Sequence, residues 1–588
     1  MFTFSGKYDI INVYKYTRKI HMKKRFCAII LAITLLASCA VGASAARQDI
    51  TAVERHPDLA PTERQADLGI VAADYPQVGT DLEPDEALPS SYSNRELATP
   101  VRNQRFNTCW AYASTSVMEI AANKAGIFTG QFSPMHMNYW AVKRDDETGW
   151  QRTYYDAGYP YIAMGYLTSY SGVVKEEDFP QNMEYEDYQT GGKNLPVFVG
   201  ASSLIYLKAD DRDTVKTAVY NYGAAVGNFS YESQYYNYNT GAYCCDFEGL
   251  TTAQLRGHAI TILGWDDDYS RENFNEDHRP DADGAWLCKN SWGEGWSADG
   301  GYFWISYEDQ YLFDKRFGPS YTIAGLEQFD ENNRLYQNEE YGATCEFDYI
   351  TEDISSLVNA NKEVTYVNVF DFSKGFNELD KIVFESTSSG SEYTLSLIPL
   401  DKDGVPVNDK AQWTTLGTGT IDYQGYLCID IDNLTVPRGR AGIGVTVKQT
   451  ENSTGMSIGA CEWLTVGGGR SIFLPNAKKG DCYIIGYDSR PRDLMDLYYL
   501  WFEDTIGGTF VIKAITNKVD VIGDVDLDGE VSILDVTKIQ RRIADIDTFS
   551  EYQEKLADYD ADAVVSILDC TKIQRVLVGI EEPLYIVW

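Results

Sequence analysis

The sequence predicts a multidomain chain in three folded parts: a mixed α+β region, an antiparallel β-sandwich and a small all-α repeat. Three observations predict it. Helical and strand-like periodicities both occur between Leu88 and about Tyr321, strand alternation dominates from Glu327 to Asn517, and a segment near the C-terminus occurs twice. At 588 residues the chain exceeds what one core can hold, and a composition of 44% hydrophobic and 13% aromatic residues supports globular folding.

The formal charge of −37 argues against a nucleic-acid role and against adhesion to anionic lipid, and favours a soluble secreted protein or one that gathers cations. Residues 1–45 read as a leader. Met22-Lys23-Lys24-Arg25 is a basic start, Phe26 to Leu36 is an apolar run too short to span a membrane, and Ala43-Ser44-Ala45 is an A-x-A-like cleavage site. Met22 is accordingly read as the start. A second reading competes: Leu36-Ala37-Ser38-Cys39 resembles a bacterial lipoprotein box, which would leave a lipid on Cys39 and the chain anchored at the cell surface. Residues 46–86 are polar and Pro-spotted, a linker or short pro-segment. Nine of the 11 cysteines lie beyond the leader, so at least one is unpaired in a monomer, and without CxxC pairs a zinc site is not expected.

In the first region a helical pattern runs from Cys109 to Ala125 and stops at Gly126; strand-like runs follow at 258–265, 284–292 and 301–307. Cys109 opens the helix, where the helix N-terminus lowers a thiol's pKa; a nearby imidazole is the second such device. Of five histidines, His21 is in the leader, His56 in the linker, His136 in a polar stretch and His278 in an acidic loop. His258, in RGHAITILGW, starts an apolar strand on which a rigid scaffold can hold it. Asn290, in LCKNSWGEGW, ends the next strand and offers an amide oxygen to orient the ring, with Trp292 to shield that bond. Gln104 offers an N–H donor which, with the Cys109 amide, makes an oxyanion hole.

That order, with VRNQ…TCWAYA, RGHAITILGWDDD, KNSWGEGWSADGGYFWISY and GVVKEEDFP, resembles the papain-like cysteine peptidases over about residues 87–322. The resemblance implies a two-lobed α+β fold with the active cleft between the lobes. It implies Cys109 as nucleophile, His258 as general base and acid, Asn290 as orienter and Gln104 as oxyanion donor. It also implies a protein or peptide substrate and no cofactor for catalysis. Three departures stand out. Phe106 replaces the family's cysteine three before the nucleophile, the Gln104–Cys109 spacing is one residue short, and an acidic loop lengthens the His258–Asn290 interval. No long helical pro-region is visible upstream.

From 327 to 517, runs such as TYVNVFDF, YTLSLIPL and AGIGVTVKQ separated by turn residues read as the sandwich. Its order and pattern resemble the lectin-like domain of some bacterial members. Glycan is a further partner class suggested by that name, though binding does not follow from fold.

DVDLDGEVSILDVTKIQR (524–541) recurs as DYDADAVVSILDCTKIQR (558–575). Counted from the first aspartate, oxygen donors fall at positions 1, 3, 5, 9 and 12: Asp524, Asp526, Asp528, Ser532 and Asp535, then Asp558, Asp560, Asp562, Ser566 and Asp569. The position-7 carbonyls of Glu530 and Val564 complete a calcium shell. The loops end in aspartate where an EF-hand ends in glutamate, and no entering helix is evident before either. Loop–helix duplication of this kind resembles the dockerin modules of bacterial polysaccharide-degrading complexes, over residues 519–582, leaving 583–588 as a tail. The resemblance implies two Ca2+ ions and a cohesin partner on a scaffoldin, contacted at Ile533, Leu534, Ile567 and Leu568. Ala563 stands where the first loop has Gly529, so the second site is expected to bind more weakly.

Together these readings describe a secreted cysteine endopeptidase tethered to an extracellular complex. The alternative is a catalytically silent peptide- or glycan-binding subunit, which would need none of the four retained site residues. A glycosidase is disfavoured because no carboxylate pair stands out.

Overall fold

The computed structural model describes residues 80–580, apart from 81, 85–86, 143–148, 151, 170–171, 185–190, 193–194, 252–253, 330–331, 348–362, 374–376, 465–471, 474–476, 487–488, 498–505, 519–521 and 528–530. The leader, Cys39, nearly all of the linker, Asp528, Gly529, Glu530 and the tail lie outside the described residues.

The first lobe is organised by α1 (Cys109–Lys124), which is central: Trp110 to Ala122 are all buried, the polar Ser114, Thr115, Ser116 and Glu119 among them. Helices α2 (Pro134–Trp140) and α3 (Pro160–Leu167) pack on it. The second lobe is a sheet built from β1 (Val199–Tyr206), β2 (Ala225–Ser230), β3 (Gly257–Asp266), β4 (Ala285–Lys289), β5 (Tyr302–Ser306) and β6 (Tyr321–Gln328), with α4 (Arg212–Tyr222) packed on it. The strand-like runs around His258 and Asn290 thus become neighbouring strands β3 and β4, paired antiparallel. Thr261 Oγ1 on β3 donates to Ala113 O on α1 (3.2 Å), so the sheet lies directly on the helix that carries Cys109.

The sandwich contributes β7 (Asn333–Tyr336), β8 (Glu363–Asp371), β9 (Glu378–Ser386), β10 (Glu392–Ile398), β11 (Thr414–Thr420), β12 (Gly425–Thr435), β13 (Arg440–Lys448), β14 (Cys482–Ile485) and β15 (Ile512–Asn517). One face, in the order β11-β10-β13-β8-β14, is a separate sheet. The other face, β7-β15-β9-β12, continues without a break into the first region's sheet, in the order β1-β6-β2-β3-β4-β5. The junction is the pairing of Gly425 with Ile205 and Tyr426 with Leu204. Gly425 has φ +135°, and a Cβ there would stand 2.0 Å from Leu204 O, so only glycine lets the backbones meet. An ion pair reinforces the seam: Lys513 Nζ is 2.9 Å from Glu339 with both side chains 1% exposed, and it donates to Thr168 O just beyond α3 (2.8 Å).

The C-terminal module contains α5 (Ile533–Ile543), α6 (Glu551–Ala557) and α7 (Ile567–Leu577) around a core including Val536, Ile539, Leu556, Tyr559, Cys570 and Ile573. Cys570 occupies in the second repeat the place of Val536 in the first, a small apolar filler. One expectation is corrected: α6 runs directly into Asp558, so the second loop does have an entering helix. Seven residues are too few to show a period, but Ser550 and Gln553 form a reciprocal capping box that starts it. All eight cysteines whose side chains are described are free. Among the described residues no helix is long and apolar enough to cross a membrane.

Candidate active site

Cys109 is the first residue of α1. The N-cap, Thr108, turns its hydroxyl back to Arg105 O and leaves the helix end uncapped by a side chain. Ala111 N and Tyr112 N bond Thr108 O, while the amides of Cys109 and Trp110 face the thiol. Burial pushes the Cys109 thiol up, although the residue keeps partial exposure; the amides of Ala259, Trp110 and Cys109 itself pull it down. The Ala259 contact brings the nucleophile candidate against β3 at the residue after His258.

The His258 ring is held from several sides. Its Nε2 is 2.7 Å from Asn290 Oδ1, Trp292 stacks on it at 4.1 Å between centroids, and Phe229 meets it edge-on at 5.8 Å. Nδ1 has no hydrogen-bond partner, which leaves it for a reacting proton. Burial lowers the ring's pKa to about 4, and the Asn290 bond opposes that shift. Asn290 Oδ1 also accepts from Ser291 N (2.7 Å), so the amide that orients the ring is itself oriented.

Gln104 is anchored to the same turn. Its main-chain N–H donates to Ser291 O and its Oε1 accepts from Ser291 Oγ, both at 2.7 Å, while Nε2 donates to Phe106 O at 3.0 Å. Gly293 N bonds Arg102 O, and Asn103 bridges Trp292. The missing residue between Gln104 and Cys109 is accommodated by a tight turn in which Phe106 adopts φ +56°, its ring edge-on to Tyr155. Nε2 retains a second hydrogen beyond the one given to Phe106. His136, by contrast, is buried with its ring nitrogens on Tyr166 Oη and Gly192 O, a structural role.

Beneath the site lies a charged cluster that sequence reasoning missed. Arg102 pairs with Glu119 (2.7 Å; side chains 8% and 0% exposed) and with Glu176 (3.3 Å). Glu119 also accepts from Phe132 N and from Thr99 Oγ1. Lys289, next to Asn290, donates to Thr99 Oγ1 and Ser116 Oγ at 3.1 Å each, and burial lowers its pKa to about 8. The available signals were slight: one carboxylate, Glu119, in a helix with no other charge before its last residue, and a lysine ending the strand AWLCK.

In the C-terminal module, Asp524, Asp526 and Asp535 bring ligand oxygens within 4.8 Å of one another, and so do Asp558, Asp560 and Asp569. Asp535 and Asp569 are fully buried, Asp524 is 2% exposed, and Asp560 Oδ1 is enclosed without a hydrogen-bond partner. Three crowded carboxylates repel one another unless a cation joins them, so both all-oxygen donor sets fit a hard divalent ion. Asp562 lies in the second loop, where its N–H bonds the Asp558 carboxylate (3.1 Å). Ser532 and Ser566 cap α5 and α7, each bonding the amide two residues on. Val564 donates its amide to Asp562 Oδ1.

A model of the papain family cysteine protease matches residues 88–316, one of the lectin like domain 335–516, and one of the dockerin type I domain 522–578. The clostridial cysteine protease Cwp84, solved after propeptide cleavage, is 30% identical with a TM-score of 0.63; the match covers 73% of this chain and 100% of that one. This chain belongs to the papain family of cysteine proteases. A structure of the protease and lectin-like domains of Cwp84, a surface layer associated protein of Clostridium difficile, is 29% identical at a TM-score of 0.61, covering 75% and 90% of the two chains. Among plant members of the papain family, cysteine proteinase 2 of Zea mays is 29% identical over 220 residues, 37% of this chain and 55% of that protein. The oryzain gamma chain of Oryza sativa subsp. japonica is 28% identical over the same extent. The chain thus spans about half the length of these curated relatives.

Burial raises Glu176 to about 7, against the pull of the Gln181 amide and Arg102. A carboxyl raised on folding adds stability that is full below its unfolded pKa near 4.5 and is lost as pH rises through about 7. Glu176→Gln should therefore flatten the loss of stability between those pH values, an effect of about 3 kcal/mol measurable by urea unfolding at a series of pH values.

Proposed function

We propose that this chain is an extracellular cysteine endopeptidase with Cys109, His258, Asn290 and Gln104 as its reacting group. The observation that carries the reading is the His258 ring, gripped by Asn290 and Trp292, on the strand whose next amide lies against the Cys109 thiol. The thiol proton passes to His258 Nδ1, and the thiolate attacks the scissile carbonyl. The oxyanion is received by the Cys109 amide and the free hydrogen of Gln104 Nε2. His258 then protonates the leaving amine and afterwards draws a proton from water, which releases the acyl group.

The terminal module acts as a tether. Asp524, Asp526, Asp528, Ser532 and Asp535, with the Glu530 carbonyl, would hold one calcium ion; Asp558, Asp560, Asp562, Ser566 and Asp569, with the Val564 carbonyl, would hold a second. The ions neutralise the crowded carboxylates and order the loops. Ile533, Leu534, Ile567 and Leu568 are 57–60% exposed in equivalent places on the two repeats, suited to an apolar face of a cohesin. Attachment to a scaffoldin of a polysaccharide-degrading complex, and location outside the cell, follow from that partner. The surface-layer association of Cwp84 points the same way.

Three outcomes are expected. Wild type hydrolyses casein under reducing conditions and Cys109→Ala does not; full activity in the variant, or none in wild type, sinks the peptidase reading. Gln104→Ala lowers kcat by about 10²–10³ with little change in KM in peptide assays, because its donor acts on the oxyanion. Calorimetric titration shows two unequal calcium sites, and Ala563→Gly strengthens the weaker by roughly tenfold, since Ala563 sits at φ +67°. Cohesin capture that survives EDTA would remove calcium from the account.

A further inference from the structure

Where β12 of the sandwich joins β1 of the protease sheet, the chain lines a cavity of about 460 Å3, within the size range of small-molecule sites. One wall is Ser202 and Ser203 of β1 with Gly325 of β6; another is Cys428 of β12 with the turn at Asp422 and Tyr423. Tyr222, the last residue of α4, stands beside them. The segment ahead of the protease region completes it. Thr80 N donates to Tyr206 O (2.8 Å) and its hydroxyl accepts from Gln424 N (2.7 Å), which brings Glu83 to the cavity.

The floor is polar and uncharged. The register of β6 against β1 shifts on both sides of Gly325, and a Cβ there would stand 2.7 Å from Ser202 Oγ. That hydroxyl belongs to a residue only 7% exposed, and the group bonded to it among the described residues is the Cys428 thiol, a weak partner. Burial pushes the thiol up to about 12, so it stays protonated. Ser203 Oγ and Tyr423 Oη share a hydrogen bond of 2.7 Å. The negative charge sits higher, on the exposed Glu83 and Asp422, neither of them in an ion pair among the described residues. No described lining residue is basic. The ammonium felt at Cys428, that of Lys381, is taken by Asp380 (2.7 Å) and Glu327 (3.2 Å).

We propose that this cavity is a binding site for an organic cation, an alkyl ammonium whose head meets Glu83 and Asp422 and whose stem lies on Tyr222 and Tyr423. The lining is rich in acceptors and holds donors only on hydroxyls and a thiol, so it answers a ligand that mainly donates. Tyrosine faces add attraction for a cation. An anion would meet two carboxylates without a counter-charge, and a neutral saccharide would leave both uncompensated. A hard metal ion needs six or more converging oxygens, and the convergent carboxylate trios among the described residues both lie in the C-terminal module. The same chemistry is carried by a free polyamine and by a lysine side chain of a partner protein. The site stands apart from the Cys109 chemistry and does not depend on the peptidase reading.

Calorimetric titration of the full chain, in excess calcium and moderate salt, tests it with four probes: spermidine, Nα-acetyl-lysine amide, cellobiose and acetate. One equivalent of spermidine or of the lysine amide is expected to bind saturably. Spermidine alone assigns a free polyamine, and the lysine amide assigns a protein side chain. Glu83→Gln/Asp422→Asn should weaken that binding about tenfold, since two exposed charge contacts are lost. Glu248→Gln/Glu451→Gln, which removes two exposed carboxylates elsewhere, should leave it unchanged. Equal weakening in both double variants means diffuse attraction by the net charge and overturns the site. Absence of saturable amine binding, or binding of cellobiose or acetate in its place, overturns it as well.

Discussion

The proposed site depends on one short backbone pairing, Arg102–Gln104 against Ser291–Gly293. These segments come from opposite lobes: one leads into α1, the other leaves β4. Gln104 N to Ser291 O and Gly293 N to Arg102 O tie them together, and Ser291 holds the Gln104 side chain as well. Three of the four groups in the proposed mechanism then follow from short chain connections, and His258 is reached through its bond to Asn290. Cys109 is five residues from the pairing on one side, and Asn290 is one residue from it on the other. Main-chain hydrogen bonds resist shear better than side-chain contacts do, so the distance between lobes is set by backbone.

The charged cluster beneath makes that pairing rigid. Arg102 is one of its members and Lys289 precedes Asn290, so the same two segments are gripped from below through Glu119 and Thr99. Buried charges that satisfy one another this fully contribute little net stability, but loss of any member leaves the others stranded. On the far side of the lobe the sheet continues into the sandwich through Gly425. The lectin-like part is therefore an extension of the protease sheet, braced by Lys513, rather than a bead on a linker.

Much of the candidate site was legible because its residues stand at element ends. Cys109 opens a helix, His258 begins a strand, and Asn290 follows one, positions where a sequence shows both the element and the break. The two acidic clusters were legible because the spacing of their aspartates is local. Most of what escaped shares one cause, long separation in sequence. The Gly425–Ile205 junction joins residues more than two hundred positions apart, and nothing near either marks the other. Arg102, Glu119 and Lys289 look like isolated surface charges until the fold brings them together. Helix α6 was too short to show a period, although its Ser550–Gln553 box was present in the letters.

The proposed pairing of Cys109 with His258 accounts for how charge can appear in so enclosed a place. Burial raises the thiol and lowers the imidazole, so neither group ionises readily by exchanging a proton with solvent. In the proposed mechanism, transfer of the thiol proton to Nδ1 creates both charges at once, without net charge to desolvate, and each charge stabilises its neighbour. The amides at the start of α1 favour the sulfur anion, and Asn290 Oδ1 favours the imidazolium through Nε2. Trp292 keeps water from competing for that second bond. The helix end alone would leave a thiol opposed by its own burial, and the histidine alone would stay neutral. In the proposed mechanism reactivity belongs to the two groups together, and Ser291 is where the segments that carry Gln104 and Asn290 meet.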